Sequence, residues 1–200
     1  ENWNTAQLLK EALRGAADAG AETKLVHIYP LNIKGCASCL ACKRKGVEPL
    51  RCFHKDDANA LIDEVLQSDV VLLGAPVYFG DIAGQMQSFL ERLNFLLLTY
   101  DDYTKSNFTG HIDVAFFFTM NGQAGTYEEL MKQKTSQLTR LGGSVETYAC
   151  CDTLQFDDYS KYHAASFDEA HKRQVHETQF PKDLENVYMI GKRLVEKKRV

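Results

Sequence analysis

Four of the six cysteines lie close together in the sequence, with the spacing C-x2-C-x2-C-x9-C. They are Cys36, Cys39, Cys42 and Cys52. Three thiolates from one short loop and a fourth from further along can hold an iron–sulfur cubane, and four thiolates can also hold zinc. A third interpretation is a set of metal-free thiols, in which the basic run at 43–45 lowers the pKa of Cys42. The spacing alone leaves all three interpretations open.

The composition limits what else the chain can do. Its 200 residues and 22.6 kDa predict one domain over 1–200. With 27 acidic and 23 basic residues it lacks the cationic surplus that binds nucleic acid. No apolar run approaches the roughly 18 residues that span a bilayer. Clustered cysteines without a visible secretion signal fit a reducing compartment. We therefore predict a cytoplasmic protein with neither a nucleic-acid nor a membrane partner.

Helical and strand patterns alternate along the sequence. Apolar residues recur at helical spacing over 5–19, 58–66, 82–97 and 126–141, and again in a last helix that begins at Pro181. Apolar or β-branched runs at 23–29, 69–79, 111–120 and 144–149 predict strands. This alternation predicts an α/β fold with a doubly wound parallel sheet. Because such a fold normally begins with its central strand, we expect a first strand upstream of residue 1, giving five strands in all.

Three loops at the predicted carboxyl ends of the strands carry candidate ligand-binding residues. These residues are Asn4 and Thr5 at the start of the first helix; Pro76, Val77, Tyr78, Phe79 and Gly80 at the end of the strand at 69–79; and Thr119, Asn121, Gly122 and Gln123 at the end of the strand at 111–120. The helix start suits a phosphate group. The second loop offers a flat apolar surface to a planar ring, and the third offers backbone amides to a polar ring edge. An ordinary helix cap, strand-end packing or a plain turn would explain each loop taken alone.

These segments resemble the flavodoxin-like NAD(P)H-dependent FMN reductases, near their iron–sulfur flavoprotein branch. The sequence ENWNT is similar to the end of that family's phosphate loop, with Asn4 and Thr5 matching and Trp3 standing where glycine is usual. GAPVYFGDIAGQMQSFLERL is similar to the family's flavin-ring loop and the helix that follows, and TMNGQAG lies where the family contacts the flavin pyrimidine. The resemblance covers essentially the whole chain and implies a flavodoxin-like, five-stranded parallel sheet.

The resemblance also implies a function. FMN would bind noncovalently, with its phosphate at the first helix and its ring against the loop of Tyr78, and NAD(P)H would donate the hydride. The acceptor would be a quinone, a flavin, another small molecule or a redox protein. Because the flavin supplies the chemistry, no catalytic side chain is predicted. The family commonly forms homodimers, which would place Tyr159 and Tyr162 at a partner's flavin; packing within one subunit is the alternative.

The cysteine loop keeps a second function open. In the iron–sulfur branch, a 4Fe-4S cluster on Cys36, Cys39, Cys42 and Cys52 would exchange electrons with FMN and a ferredoxin-like partner. The last gap between cysteines is shorter in that branch than the nine residues found here. The alternative to an NAD(P)H oxidoreductase is therefore an electron-transfer iron–sulfur flavoprotein, and a flavin-free binding module is a third possibility.

Overall fold

The computed structural model describes residues 3–198 and shows one sheet with helices on both faces. The helices are α1 (Asn4–Asp18), α2 (Ala58–Leu66), α3 (Gly84–Leu97), α4 (Glu128–Ser136), α5 (Glu169–Thr178) and α6 (Phe180–Lys198). The strands are β1 (Val70–Tyr78), β2 (Asp81–Ile82), β3 (Ile112–Thr119) and β4 (Gly142–Cys150). Strands β1, β3 and β4 are parallel, and β2 is a two-residue strand antiparallel to β1. Residues 1, 2, 199 and 200 lie outside the described residues, as does the predicted strand upstream of residue 1.

Strand β3 lies inside the sheet and is buried along its whole length. Successive side chains of a strand point to opposite faces. Phe116 and Phe118 therefore join the core formed with α2 and α3, whereas Ala115 and Phe117 join the core formed with α1 and α6. Two buried faces explain why this segment is apolar at nearly every position, and the prediction of a doubly buried parallel strand is confirmed.

The sheet has four strands in the order β2-β1-β3-β4 rather than the predicted five. The predicted strand at 23–29 forms no strand pairing. Residues 70–76 of β1 pair with β3 on one side only, so their other edge is open among the described residues. A strand needs a neighbour to complete its hydrogen-bond ladder. In a sheet with the strand order 2-1-3-4-5, the first strand lies between the second and the third. Here that position falls between residues 23–29 and β1, and no described residue occupies it.

Helix α6 packs against α1 at a point where neither helix has room for a side chain. A Cβ added to Gly191 would lie 1.9 Å from the carbonyl oxygen of Ala12. We expect Gly191→Ala to destabilise the fold by about 2 kcal/mol, because overpacking this contact forces the two backbones apart. Urea unfolding measures the change. The control is Gly84→Ala, whose added Cβ meets no atom within 4 Å. Equal midpoints for the two variants would contradict the close approach.

Candidate active site

The carboxyl ends of the three parallel strands lie level with one another. Pro76 of β1 pairs with Thr119 of β3, and Thr119 pairs with Cys150 of β4. The loops that leave these strands therefore meet at one edge of the sheet. Doubly wound sheets bind their ligands at this edge, and all three predicted binding loops reach it.

The first turn of α1 is held against that edge by two side-chain contacts. The hydroxyls of Thr5 and Thr119 lie 2.6 Å apart, and the amide of Asn4 donates to the carbonyl of Leu154 at 3.0 Å. Asn4, which precedes the predicted helix at 5–19, is the first helical residue, and Trp3 is the cap, with no side-chain capping bond. The first N–H groups of a helix have no acceptor within the helix, so the positive end of α1 is available to an anion.

Strands β1 and β2 form a hairpin whose two-residue turn is Phe79–Gly80. Both turn residues have positive φ, 53° for Phe79 and 81° for Gly80. This is the pattern of a type I′ turn, which favours Asn-Gly, so Phe79 occupies a strained conformation for an aromatic residue. Its side chain is fully exposed. The ammonium of Lys134 on α4 holds the hairpin by an ion pair of 2.7 Å with Asp81. Burial works against the ionised Asp81, but the hydrogen bond and charge of Lys134, together with the backbone N–H of Ile82, outweigh it and lower the pKa of the carboxyl.

The loop after β3 is tied to the segment that follows β4. The N–H of Met120 donates to the carbonyl of Cys150 at 3.0 Å, and the N–H of Thr153 donates to the carbonyl of Met120 at 3.1 Å. The N–H of Asp152 donates to the carbonyl of Gly122 at 2.9 Å. Asp152 adopts a left-handed backbone with φ of 53°. The loop is therefore fixed, at Met120 and at Gly122, to the segment that follows β4.

A cavity of about 2310 Å³ opens where these loops meet. The predicted residues that line it are Asn4, Thr5, Pro76, Val77, Tyr78, Phe79, Thr119, Asn121 and Gly122. Gly80 and Gln123 do not line it. The cavity exceeds the roughly 300–1,000 Å³ of ordinary ligand sites, because it continues along the open edge of β1 as far as 23–29. The carboxyl-edge part of the cavity is the candidate site.

Sequence reasoning missed several residues of this region. Thr153, Leu154, Gln155 and Phe167 line the cavity. They belong to the polar segment after β4, whose sequence has no helical or strand period and therefore predicts no element. Lys172 lies behind the same loop on α5, and it is 6% exposed. A buried lysine carries no sequence signal, because its burial depends on a partner from elsewhere in the chain.

The four cysteines are not arranged as a metal site in residues 3–198. Cys39 is exposed, whereas Cys36, Cys42 and Cys52 are half-buried. Ser38 and Leu40 have left-handed backbones, and a short 3-10 helix spans Ala41–Lys43. Within residues 3–198, no group of three or more Cys, His, Asp or Glu is arranged to hold a metal ion. This arrangement does not fit a cluster bound by four thiolates.

The thiol of Cys42 also differs from the expectation for reactive metal-free thiols. Burial raises the pKa of Cys42, and the nearby ammonium of Lys43 offsets only part of that effect. The same ammonium donates to the carbonyls of Phe95 and Leu98 at the end of α3. The pKa of Cys42 is therefore raised rather than lowered as predicted, because burial outweighs the charge of Lys43.

Tyr159 and Tyr162 pack within their own chain. Tyr159 is buried, and its hydroxyl accepts a bond from the N–H of Gln155 at 3.1 Å. The ring of Tyr162 stacks on Phe156 with centroids 4.2 Å apart. These contacts agree with the alternative of packing inside one subunit, and a role in a dimer stays a prediction.

Residues 1–142 match the sequence model of the NADPH-dependent FMN reductases. The chain belongs to that family. The match spans the start of α1, the β1–β2 hairpin and the loop after β3, and it confirms the family resemblance.

Curated relatives come from the iron–sulfur flavoprotein branch. One from Methanocaldococcus jannaschii is 32% identical over 89 residues, which is 44% of this chain and 44% of that protein. Another, from Archaeoglobus fulgidus, is 34% identical over 90 residues, which is 45% of this chain and 39% of that protein. Each match spans less than half of the relative's length, and the branch agrees with the resemblance seen in the sequence.

Solved structures share the fold across almost the whole chain. The azoreductase AzrA has a TM-score of 0.65 at 13% identity, covering 96% of this chain and 93% of its own. An NAD(P)H:quinone oxidoreductase from Methanothermobacter marburgensis has a TM-score of 0.62 at 12% identity, covering 97% of this chain and 91% of its own. These similarities confirm the α/β flavodoxin-like fold.

Proposed function

We propose that this chain is an FMN-dependent NAD(P)H oxidoreductase that passes hydride to a quinone, a flavin or a similar small acceptor. The observation that carries the proposal is the carboxyl-edge cavity, where the start of α1, the β1–β2 hairpin and the loop after β3 come together. Membership of the NADPH-dependent FMN reductase family supports it.

The start of α1 fits the phosphate of FMN. The helix has 15 residues and no acidic residue in its first turn, and its N-cap residue Trp3 makes no side-chain capping bond. A helix start of this kind favours a dianionic group. Because the hydroxyl of Thr5 and the amide of Asn4 already bond to Thr119 and Leu154, we assign the phosphate to backbone N–H groups and give these side chains the role of holding the helix in place.

The hairpin and the loop after β3 fit the isoalloxazine ring. Val77 and Tyr78 supply apolar surface to one side of the cavity. Asn121 and Gly122 line the cavity from the loop after β3, where backbone groups can meet the polar edge of the ring. When bound, the flavin supplies the hydride chemistry. The chain's own residues bind and orient it and limit the access of water, so we assign no side chain as an acid or a base.

The test is direct. The purified protein is titrated with FMN while flavin fluorescence is followed, and NADPH or NADH is then oxidised in the presence of a quinone or free flavin. We expect stoichiometric FMN binding and FMN-dependent oxidation of the nicotinamide. A protein that takes up no FMN would sink the proposal and would favour a flavin-free binding module.

A second candidate function is electron transfer as an iron–sulfur flavoprotein. The names of the curated relatives favour it, whereas the placement of Cys36, Cys39, Cys42 and Cys52 does not fit the cluster. Iron and sulfide analysis of protein purified without oxygen decides between them. About four irons per chain, lost in Cys39→Ser while FMN stays bound, would favour the second candidate. Iron-free protein that oxidises NAD(P)H would favour the first.

We also propose that the protein works as a cytoplasmic homodimer with a small-molecule acceptor. The family resemblance supports this assignment. None of the helices within residues 3–198 is long and apolar enough to cross a membrane. Light scattering on the purified protein tests the dimer, and a monomeric mass that still binds FMN would remove the dimer from the proposal without affecting the cofactor.

A further inference from the structure

Two neighbouring backbone carbonyls in the loop after β3 both point toward groups from later in the chain. The carbonyl of Asn121 accepts a bond from the ammonium of Lys172 at 3.4 Å. The carbonyl of Gly122 accepts a bond from the N–H of Asp152 at 2.9 Å. Both carbonyls are therefore held by a partner from the segment after β4 or from α5.

These two contacts fix the direction of the N–H groups as well. In a planar trans peptide the C=O and the following N–H point in opposite directions, and no described peptide bond is cis. The N–H groups of Gly122 and Gln123 therefore point away from Lys172 and Asp152. Neither N–H has an acceptor among residues 3–198. Because Asn121 and Gly122 line the cavity and Gln123 does not, the N–H of Gly122 is the free donor left at the candidate site.

The position of Lys172 is determined by a built network. Its ammonium pairs with one oxygen of the Asp152 carboxylate. The other carboxylate oxygen lies 2.5 Å from Nε2 of His171. Asp168 caps α5 by accepting a bond from the N–H of His171 at 3.0 Å. In the described part of the chain, Lys172 is the one lysine that is buried. A lysine is buried only when it is paired, so this lysine has little freedom to move.

We propose that Lys172 is a positioning residue for the flavin, a role that rests on the proposed function. By holding the Asn121 carbonyl, it aims the N–H of Gly122 into the cavity, toward the pyrimidine edge of FMN. Donors at that ring edge bind the reduced, more negative flavin more strongly than the oxidised one. Lys172 thus sets both the affinity for FMN and its midpoint potential without touching the cofactor.

The experiment compares Lys172→Met with wild type in FMN affinity and midpoint potential. We expect the Kd for FMN to rise about tenfold, the effect of one lost hydrogen bond at the upper end of its usual range. We expect reduced FMN to lose about tenfold more affinity than oxidised FMN, which lowers the midpoint potential of the bound flavin by roughly 30 mV. Amide exchange of residues 119–123 in the flavin-free protein should also become faster, because the loop loses a constraint.

The matched control is Lys161→Met. Lys161 pairs with Asp158 on the surface, where its side chain is 73% exposed, so affinity, potential and exchange should stay at wild-type values. If Lys172→Met does not fold, Lys172→Gln removes the charge and shortens the reach while keeping a donor for Asp152, and it should show the same changes at smaller size.

The outcomes separate the two proposals. Wild-type protein that fails to bind FMN overturns both. Wild-type protein that binds FMN, with a folded Lys172 variant of unchanged affinity, potential and exchange, overturns the positioning role alone. A weaker affinity with an unchanged potential also overturns it, because general loosening of the site would lower affinity without distinguishing the two oxidation states.

Discussion

Replacing Arg92 with methionine is expected to destabilise the folded chain by about 3–5 kcal/mol, the usual cost of removing one partner of a buried ion pair. Arg92 on α3 donates to the carboxylate of Asp56 at 2.8 Å, to the carbonyl of Lys34 at 3.2 Å and to the amide oxygen of Asn59 at 2.9 Å. The side chains of Arg92 and Asp56 are 2% and 1% exposed. Without the guanidinium, the Asp56 carboxylate stays buried and loses its cation.

The loss of stability should be largest in the segment that carries the cysteines. Asn59, which Arg92 holds, donates to the carbonyls of Cys52 and His54 at 3.3 and 2.7 Å. Arg92 thus ties both ends of the cysteine segment to α3. Urea unfolding gives the global cost, and amide exchange over residues 34–59 shows where protection is lost.

The pH dependence of this loss has a definite sign. Burial works against the ionised Asp56, but the hydrogen bond and charge of Arg92, together with the backbone N–H groups of Lys34 and Ala58, outweigh it, so the pKa of Asp56 lies below its usual value. A lowered pKa in the folded state contributes stability above the unfolded pKa, and that contribution disappears as the pH falls through the folded value. The difference in the free energy of unfolding between wild type and Arg92→Met should therefore be largest near neutral pH and become smaller below about pH 4.

A surface arginine provides the control. Arg193 pairs with Glu146 at 2.7 Å, but their side chains are 59% and 32% exposed. Arg193→Met should cost less than about 1 kcal/mol. A cost for Arg92→Met as small as that for Arg193→Met would show that the buried pair contributes no more than an exposed one.

The sequence predicted those elements whose structure depends on their own pattern. The sequence of β3 is apolar at nearly every position, as expected for a strand that is buried on both faces. The sequences of α1 and α6 carry apolar residues along one side, as expected for a helix that packs on one face. The segment at 23–29 has a strand-like composition, yet a strand requires a neighbour in the correct place. Among the described residues no strand pairs with it, so its composition alone predicted the wrong local structure.

The candidate site was predictable to the extent that strand ends determine it. Pro76 and Thr119 lie level because parallel strands share one register, so the loops after them had to meet. Lys172 and Asp152 were not predictable, since their contact depends on a left-handed aspartate after β4 and on a helix that begins far along a segment without a period. The cysteine spacing suggested a shared metal site, but it could not predict the left-handed backbone at Ser38 and Leu40, and the described cysteines are not arranged to hold a metal ion.

Replacing Gly80 with valine is expected to weaken FMN binding about ten- to a hundredfold while the domain stays folded. Gly80 has φ of 81°, a conformation that costs a β-branched residue on the order of 1–3 kcal/mol. The Phe79–Gly80 turn would then adopt its binding geometry only a fraction of the time, and apparent affinity falls by that fraction. An added Cβ meets no atom within 4 Å, so the strain stays in the turn.

Phe79→Asn is the matched variant, because asparagine suits the first position of a type I′ turn. It should leave the hairpin intact and raise thermal stability slightly, since the strain on Phe79 is relieved. FMN titration and thermal melting of both variants distinguish the effect of turn geometry from the effect of losing the aromatic ring. Tight FMN binding by Phe79→Asn with weak binding by Gly80→Val would assign the effect to turn geometry. Wild-type affinity in Gly80→Val would show that the hairpin does not form the flavin site, because a turn that cannot hold its shape could not bind the ring unchanged.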